Sequence, residues 1–346
     1  MKQNYPIGYD SKMLKPFMTT GIGSLPLRSV EDSCSLVLSS FDIPFWPQLP
    51  RLSFREFMIP QYAEGMPFLK MDEKAQTVHI GEPVTDELER FYESCTENSR
   101  IAISEDFAKG LHGMLRMIRG RRFSLFKGHI TGPLTFTLGL KDAEGKAVYY
   151  NEELREISLM LLKAKTRWQM DLLKQHADRV IIFIDEPILS ALGSSAYLGV
   201  STEETSRLLR EVTDTIRAEG GLSGIHCCGN ADWPLVIGSG VDILNFDAFD
   251  YAGSLAVYSD QCREFLSGGG WFAWGIVPTS DAIIDADIES IRQRFLDGMD
   301  RLSERIPSDL LRSRILLTPS CGTGSRTPEE AIKIFQLLMR LKEAEA

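Results

Sequence analysis

From residue 101 to residue 344, short apolar runs alternate with amphipathic ones, and this alternation restricts the fold more than any other feature of the chain. Strands are predicted over Ser124–Ile130, Val180–Ile184, 222–227, 242–246, 271–275 and 314–318. Before, between and after them, helical spacing runs over Phe107–Ile118, Glu153–Ala177, Thr202–Glu219, 231–239, 254–267, 287–305 and 327–344. Ser201 is a natural cap for one of these helices, and Pro328 sits at the first position of the last, where its missing N–H costs nothing. Repeated strand–helix units require a parallel sheet covered on both faces.

Upstream, Phe17–Ser24 reads as a first strand running into a glycine turn, followed by a helix over Val30–Leu38. Residues 41–100 are irregular and rich in proline and aromatics, with Thr77–Ile80 able to pair in a small hairpin. A connection of that length inside a compact domain is an inserted excursion, expected near the functional face. About eight candidate strands fit a single (β/α)8 TIM barrel spanning residues 1–346, with 41–100 as the excursion. An open doubly wound sheet is the alternative, but no G-x-G-x-x-G follows a strand as a dinucleotide fold needs.

Charge and cysteine usage exclude several classes. The net charge of −10 and the lack of a basic stripe argue against nucleic-acid binding. The one basic cluster, Arg119-Gly120-Arg121-Arg122, reads as a solvated loop. No apolar run is long enough for a membrane span, and Met1–Pro16 has no signal-peptide core. Six cysteines without framework spacing fit a reduced, cytoplasmic protein. Cys34, Cys95 and Cys262 read as structural.

The chemistry lies at the strand ends. In His226-Cys227-Cys228-Gly229-Asn230, strand alternation points His226 and Cys228 one way and Cys227 the other. Imidazole and thiolate are both zinc ligands. A second strand end carries Cys321-Gly322. A single buried cysteine is more often core than ligand; the H-x-C pair with a distant Cys-Gly favours metal. The other strand ends carry Ser24, His129, Asp185 with Glu186, and Asp247, and a barrel collects such residues at one mouth.

These stretches resemble the C-terminal catalytic barrel of cobalamin-independent methionine synthase. The resemblance runs from residue 17 to about residue 340 through Thr20–Ser24, Lys127-Gly128-His129-Ile130-Thr131-Gly132-Pro133, Ile184-Asp185-Glu186-Pro187, Gly224–Asn230, Val241–Asp247 and Pro319-Ser320-Cys321-Gly322. The H-x-C with a distant Cys-Gly is shared with methylcobamide:thiol methyltransferases of the uroporphyrinogen decarboxylase superfamily. The resemblance implies one zinc held by His226, Cys228, Asp247 and Cys321, with Asp247 standing where the family usually has Glu. It also implies a homocysteine site using Asp185, Glu64 (Glu82 is the rival) and main chain at Ser24. The family's second, N-terminal barrel has no counterpart here, so a core-only form is expected.

The implied activity is methyl transfer to homocysteine to form methionine. The expected donor is a methylated corrinoid, carried by a partner protein, because the stretch Trp274–Asp281 lacks the histidine suited to protonating methyl-folate's leaving nitrogen. A coenzyme M-type acceptor, methyl-folate as donor, a metal-free decarboxylase and a zinc-stabilised binding module are the competing readings. The acidic Asp185 and Glu64 favour an amino acid over a sulfonate, and Arg28 alone is a thin supply of cations for a tetracarboxylate.

Overall fold

The computed structural model describes residues 13–345. Residues 1–12, where no signal-peptide core was expected, lie outside the described residues. The nine strands among the described residues are β1 (Leu69–Asp72), β2 (Thr77–Ile80), β3 (Phe123–Thr131), β4 (Lys141–Asp142), β5 (Ala177–Asp185), β6 (Leu222–Cys227), β7 (Ile243–Asp247), β8 (Trp271–Val277) and β9 (Ile315–Pro319). Six of them form one all-parallel sheet in the order β3-β5-β6-β7-β8-β9, with helices between successive strands. Strand order follows chain order because each strand–helix unit returns the chain beside the strand it left.

Two extended segments lie along the edges of this sheet. Phe17 and Thr20 donate to the carbonyls of Ile315 and Leu317 at 2.7 and 3.1 Å, and Leu317 donates back to Met18 at 2.9 Å. Residues 43–48 receive the other side: Ile43 donates to Thr19, Gln48 to Gly23, and Lys127 of β3 donates to Pro44 at 2.8 Å. The expected first strand, Phe17–Ser24, makes only isolated bridges at Thr19 and Ser24. Phe17 has a φ of 63°, and the chain bends at Gly23, so no regular ladder is established.

Strand alternation divides the apolar side chains into two cores. Ile22, Leu125, Ile181, Phe183, Ile243, Ala273 and Leu316 cluster on the inner face. Ile182, Ile184, Ile225, Cys227, Leu244, Phe246 and Leu317 belong to the larger cluster beneath the helices. Each fully buried aliphatic or aromatic side chain contributes about 1.5–3 kcal/mol.

Capping sets the helix boundaries. The Ser201 hydroxyl accepts from Glu204 N at 3.1 Å. Thr327 and Glu330 cap the last helix, Pro328–Glu345, reciprocally. The helix expected over 254–267 is instead two, Ala248–Ala256 and Ser259–Ser267. The first starts early because Asp247 accepts from Asp250 N at 3.0 Å. The excursion holds more order than its composition indicates: an antiparallel β1–β2 hairpin and the helices Met58–Ala63 and Thr85–Ser94.

Gly275 shows how tightly the sheet closes near the C-terminal strand ends. A Cβ there would lie 2.6 Å from the Phe246 carbonyl oxygen and 2.8 Å from the Ser320 Cα, backbone atoms on both sides. Gly275→Ala is therefore expected to lower stability by about 1–3 kcal/mol. A urea midpoint equal to that of the wild type would show that the packing is looser than described.

Candidate metal centre

The C-terminal end of β6 delivers His226, and Cys228 follows on the same face. Cys321 arrives two residues after β9. One ligand atom from each of the three lies within 4.8 Å of the others. His226 is 3% exposed, and both cysteines are half-buried. Cys227 faces the opposite way, into the outer core, where burial pushes its thiol up to about 12.

Asn245 fixes the orientation of His226. The strand register sets the two side by side across β6 and β7. The Asn245 amide nitrogen donates to the Ala273 carbonyl at 2.7 Å and to Thr318 Oγ1 at 2.9 Å. A carbonyl only accepts, so the amide cannot be flipped, and Asn245 Oδ1 must face His226 Nδ1, 2.5 Å away. Nδ1 therefore carries the hydrogen. Nε2 is buried without a hydrogen-bond partner. A buried lone pair beside two sulfurs fits a metal ion, and the second-sphere hydrogen bond is the type that orients ligating histidines.

The charges around the group agree with this. The Cys321 thiol and the His226 imidazole, both close to the Cys228 sulfur, pull it down to about 4 against the effect of burial. The same sharing, together with burial, raises Cys321 well above an ordinary thiol. Burial alone would lower His226; the facing Cys228 sulfur and the Asp185 charge outweigh it and hold the imidazole above its ordinary value. One thiolate, one thiol and one imidazole share protons that a divalent cation would displace.

The other residues singled out in the sequence fall as follows. Asp247 does not join the three-atom group. One methylene shorter than Glu, its carboxylate caps the helix Ala248–Ala256, and burial raises it to about 7. Asp185 ends β5 beside His226, and its Oδ1 is buried without a partner. Burial raises its carboxyl to about 6, opposed by His226 and Lys127. Glu186 points away and accepts from Leu134 N, Thr135 N and Thr135 Oγ1 at 2.8, 2.8 and 2.6 Å, capping the helix Pro133–Gly139. Ser24 is tied to the Cys321 loop: its hydroxyl accepts from Gly324 N at 3.2 Å and its carbonyl from Thr323 N at 2.9 Å. The Glu64 carboxylate is engaged by Ser104 N at 2.8 Å and lies 3.9 Å from the buried Lys165 amine. Glu82 follows β2 in the excursion.

Sequence reasoning missed Asn245 and Lys127. An asparagine inside the apolar run Ile-Leu-Asn-Phe-Asp, in phase with Asp247, was the available signal for the first. Lys127 is fully buried, donates to the Ile22 carbonyl at 2.5 Å, and lies over the rings of Phe45 and Phe183.

The fold and site together define a parallel α/β protein with a His–Cys–Cys group able to hold a metal ion. No protein-family model matches the sequence, and no curated protein does. Among solved structures, a B12-independent methionine synthase from Shewanella sp. W3-18-1, in complex with selenomethionine, is similar over 95% of this chain and 97% of that chain, with TM-score 0.61 and 14% identity. At that identity the likeness shows a shared fold alone. A Xaa-Pro dipeptidase with bound methionine matches with TM-score 0.30 and 13% identity over 72% of this chain and 70% of its own, too slight to bear on the argument.

Three substitutions test the group. Cys321→Ser is expected to lower the divalent metal content of the purified protein, while Cys227→Ala leaves it unchanged; metal analysis showing the reverse would exchange their roles. Asn245→Ala is expected to weaken metal affinity by roughly 10–100-fold by freeing the imidazole. A chelator competition titration reads this directly.

Proposed function

We propose that the chain is a methyltransferase that forms methionine from homocysteine, with zinc held by His226, Cys228 and Cys321. The observation that carries this reading is the buried, unpartnered Nε2 of His226, fixed by Asn245 beside two cysteine sulfurs. Two sulfurs and one nitrogen form a soft donor set that suits zinc and leaves a position for exchange. The fold shared with a methionine synthase supports the reaction class. We read the frame as a single (β/α)8 barrel, the hydrogen bonds of residues 17–20 and 43–48 closing the ring.

Zinc bound there would supply the charge that keeps an acceptor thiol ionised at neutral pH. The protein's own residues do the rest. Asp185 offers an unpaired carboxylate oxygen to the acceptor's ammonium, and the Ser24 turn offers main chain nearby. Asp247 caps its helix beside the site; its ligation of the metal is the less favoured arrangement.

For the donor we propose a methylated corrinoid, presented by a partner protein. Methyl-folate needs a positioned acid for its leaving nitrogen. After β8, Asp281 is exposed and paired with Arg326 at 2.8 Å, so it is committed to an ion pair in solvent. Burial, with the Lys127 charge, pulls His129 well below its ordinary value, which favours the neutral ring over the imidazolium that a general acid would need. A reduced corrinoid leaves without protonation. A coenzyme M-type acceptor would want a cation for its sulfonate, whereas the side chain beside His226 at the strand ends is the carboxylate of Asp185.

The purified zinc-loaded protein should form methionine from homocysteine with methylcobalamin as donor; turnover with methyl-folate alone would reverse the donor assignment. Asp185→Asn is expected to raise the KM for homocysteine roughly 10–100-fold, the loss of one charged hydrogen bond of about 1.5–3 kcal/mol, with zinc content unchanged. Loss of zinc instead would make Asp185 a ligand.

A further inference from the structure

His129 is 1% exposed, and neither ring nitrogen has a hydrogen-bond partner. The ring is not free to find one. Trp46 stacks on it at 3.7 Å between centroids, and the Trp46 Nε1 is itself held by Gln169 at 2.9 Å. The His129 carbonyl accepts from Tyr62 Oη at 2.5 Å and Gln169 Nε2 at 3.0 Å, which fixes the backbone beneath the ring. On its Nδ1 edge the ring abuts the glycine turn before Ser24, where a Cβ on Gly23 would lie 3.0 Å from Nδ1.

The surroundings are as informative as the ring. Alternation sets His129 on the same face of β3 as Lys127 and Thr131, and Thr131 pairs with Asp185 across the sheet. Asp185 Oδ1 is likewise buried and unpartnered. Phenylalanine or methionine would fill the same space without stranding polar atoms, whose desolvation is uncompensated. A rigid imidazole with two unused nitrogens, abutting the turn before Ser24 and on the same sheet face as the unused Asp185 oxygen two register positions further along, is arranged for a ligand that both donates and accepts. Burial and the Lys127 charge keep the imidazole neutral, so it presents one N–H and one lone pair.

We infer that His129 is a binding residue for the amino-acid head of the acceptor, acting beside Asp185. This rests on the homocysteine reading above. The carboxylate of Asp185 takes the ammonium, and the imidazole N–H donates to the α-carboxylate. His129 adds a side-chain contact at the carboxylate end of the head, opposite Asp185 at its ammonium end.

The test compares zinc-loaded wild type, His129→Phe and His129→Gln. Phe keeps the stacking on Trp46, and Gln keeps a donor and an acceptor. L-Methionine is titrated by calorimetry, and methyl transfer from methylcobalamin is measured to homocysteine and to propanethiol, which has the reacting sulfur but no charged head. His129→Phe should raise the methionine Kd and the homocysteine KM at least about tenfold, as expected for losing a hydrogen bond to a charged group. Its zinc content, far-UV circular dichroism and propanethiol rate should stay within about twofold of wild type, because only head-group binding is removed. His129→Gln should recover part of the affinity, and it decides the comparison if the Phe variant does not fold. Undiminished methionine binding by the variants, or equal losses with both thiols, overturns the inference while leaving the methionine-forming reading intact. Failure of wild type to bind methionine overturns both.

Discussion

A sheet buried on both faces gives the polar side chains within it no water to turn to. Every such group must pair with another buried group or wait for a ligand. The inner face of this sheet carries Lys127, His129, Asp185, His226, Asn245 and Thr318, all fully or largely buried. Some are satisfied internally: Lys127 by the Ile22 carbonyl, Asn245 by Ala273, Thr318 and His226. The atoms left over are those of His129, the Oδ1 of Asp185 and the Nε2 of His226. Those of Asp185 and His226 gather at the C-terminal strand ends, beside the two cysteines. What marks the candidate site is unsatisfied polar atoms standing beside two cysteine sulfurs, a conjunction seen at these strand ends.

The adjacent Cys227 and Cys228 show the same constraint acting on chemistry. Their backbones are neighbours, yet one thiol is pushed up to about 12 and the other pulled down to about 4. The difference comes from the side of the strand each occupies. Cys227 lies in the apolar layer under the helices, its thiol donating to the Gly229 carbonyl at 3.6 Å, and behaves as a small hydrophobe. Cys228 meets a second thiol and an imidazole, which stabilise its charge.

Much of this was legible in the sequence, because alternation within short apolar runs fixes which residues share a face. The six strands of the parallel sheet, and the shared direction of His226 and Cys228, follow from that alone. Cys321 was legible because a glycine follows it at a strand end. The rest depended on register between strands, which no local pattern encodes. Asn245 matters only because β7 aligns it with His226. Asp247 lies outside the three-residue group and its carboxylate caps the next helix, a use of the group that only the tertiary structure reveals. The Phe17–Ser24 segment lacks a regular ladder because the glycine turn interrupts it. The order within residues 41–100 was hidden because short helices and a four-residue hairpin carry little periodicity.

The hydrogen bonds between residues 17–20 and β9 join the earliest and latest parts of the described chain, and the Gly324–Ser24 contact spans 300 residues. Synthesis proceeds at roughly 5–20 residues per second, so residue 317 would follow residue 19 by about 15–60 s. For that interval the first extended segment has no β9 to receive its N–H groups, and half of the cysteine pair does not yet exist. Such long-range closure is intrinsically slow. The segment is an unpaired edge during that interval, open to misassociation. The metal group is therefore an end-of-synthesis structure: it cannot form around a partly made chain, and an ion captured there reports that the two ends have met.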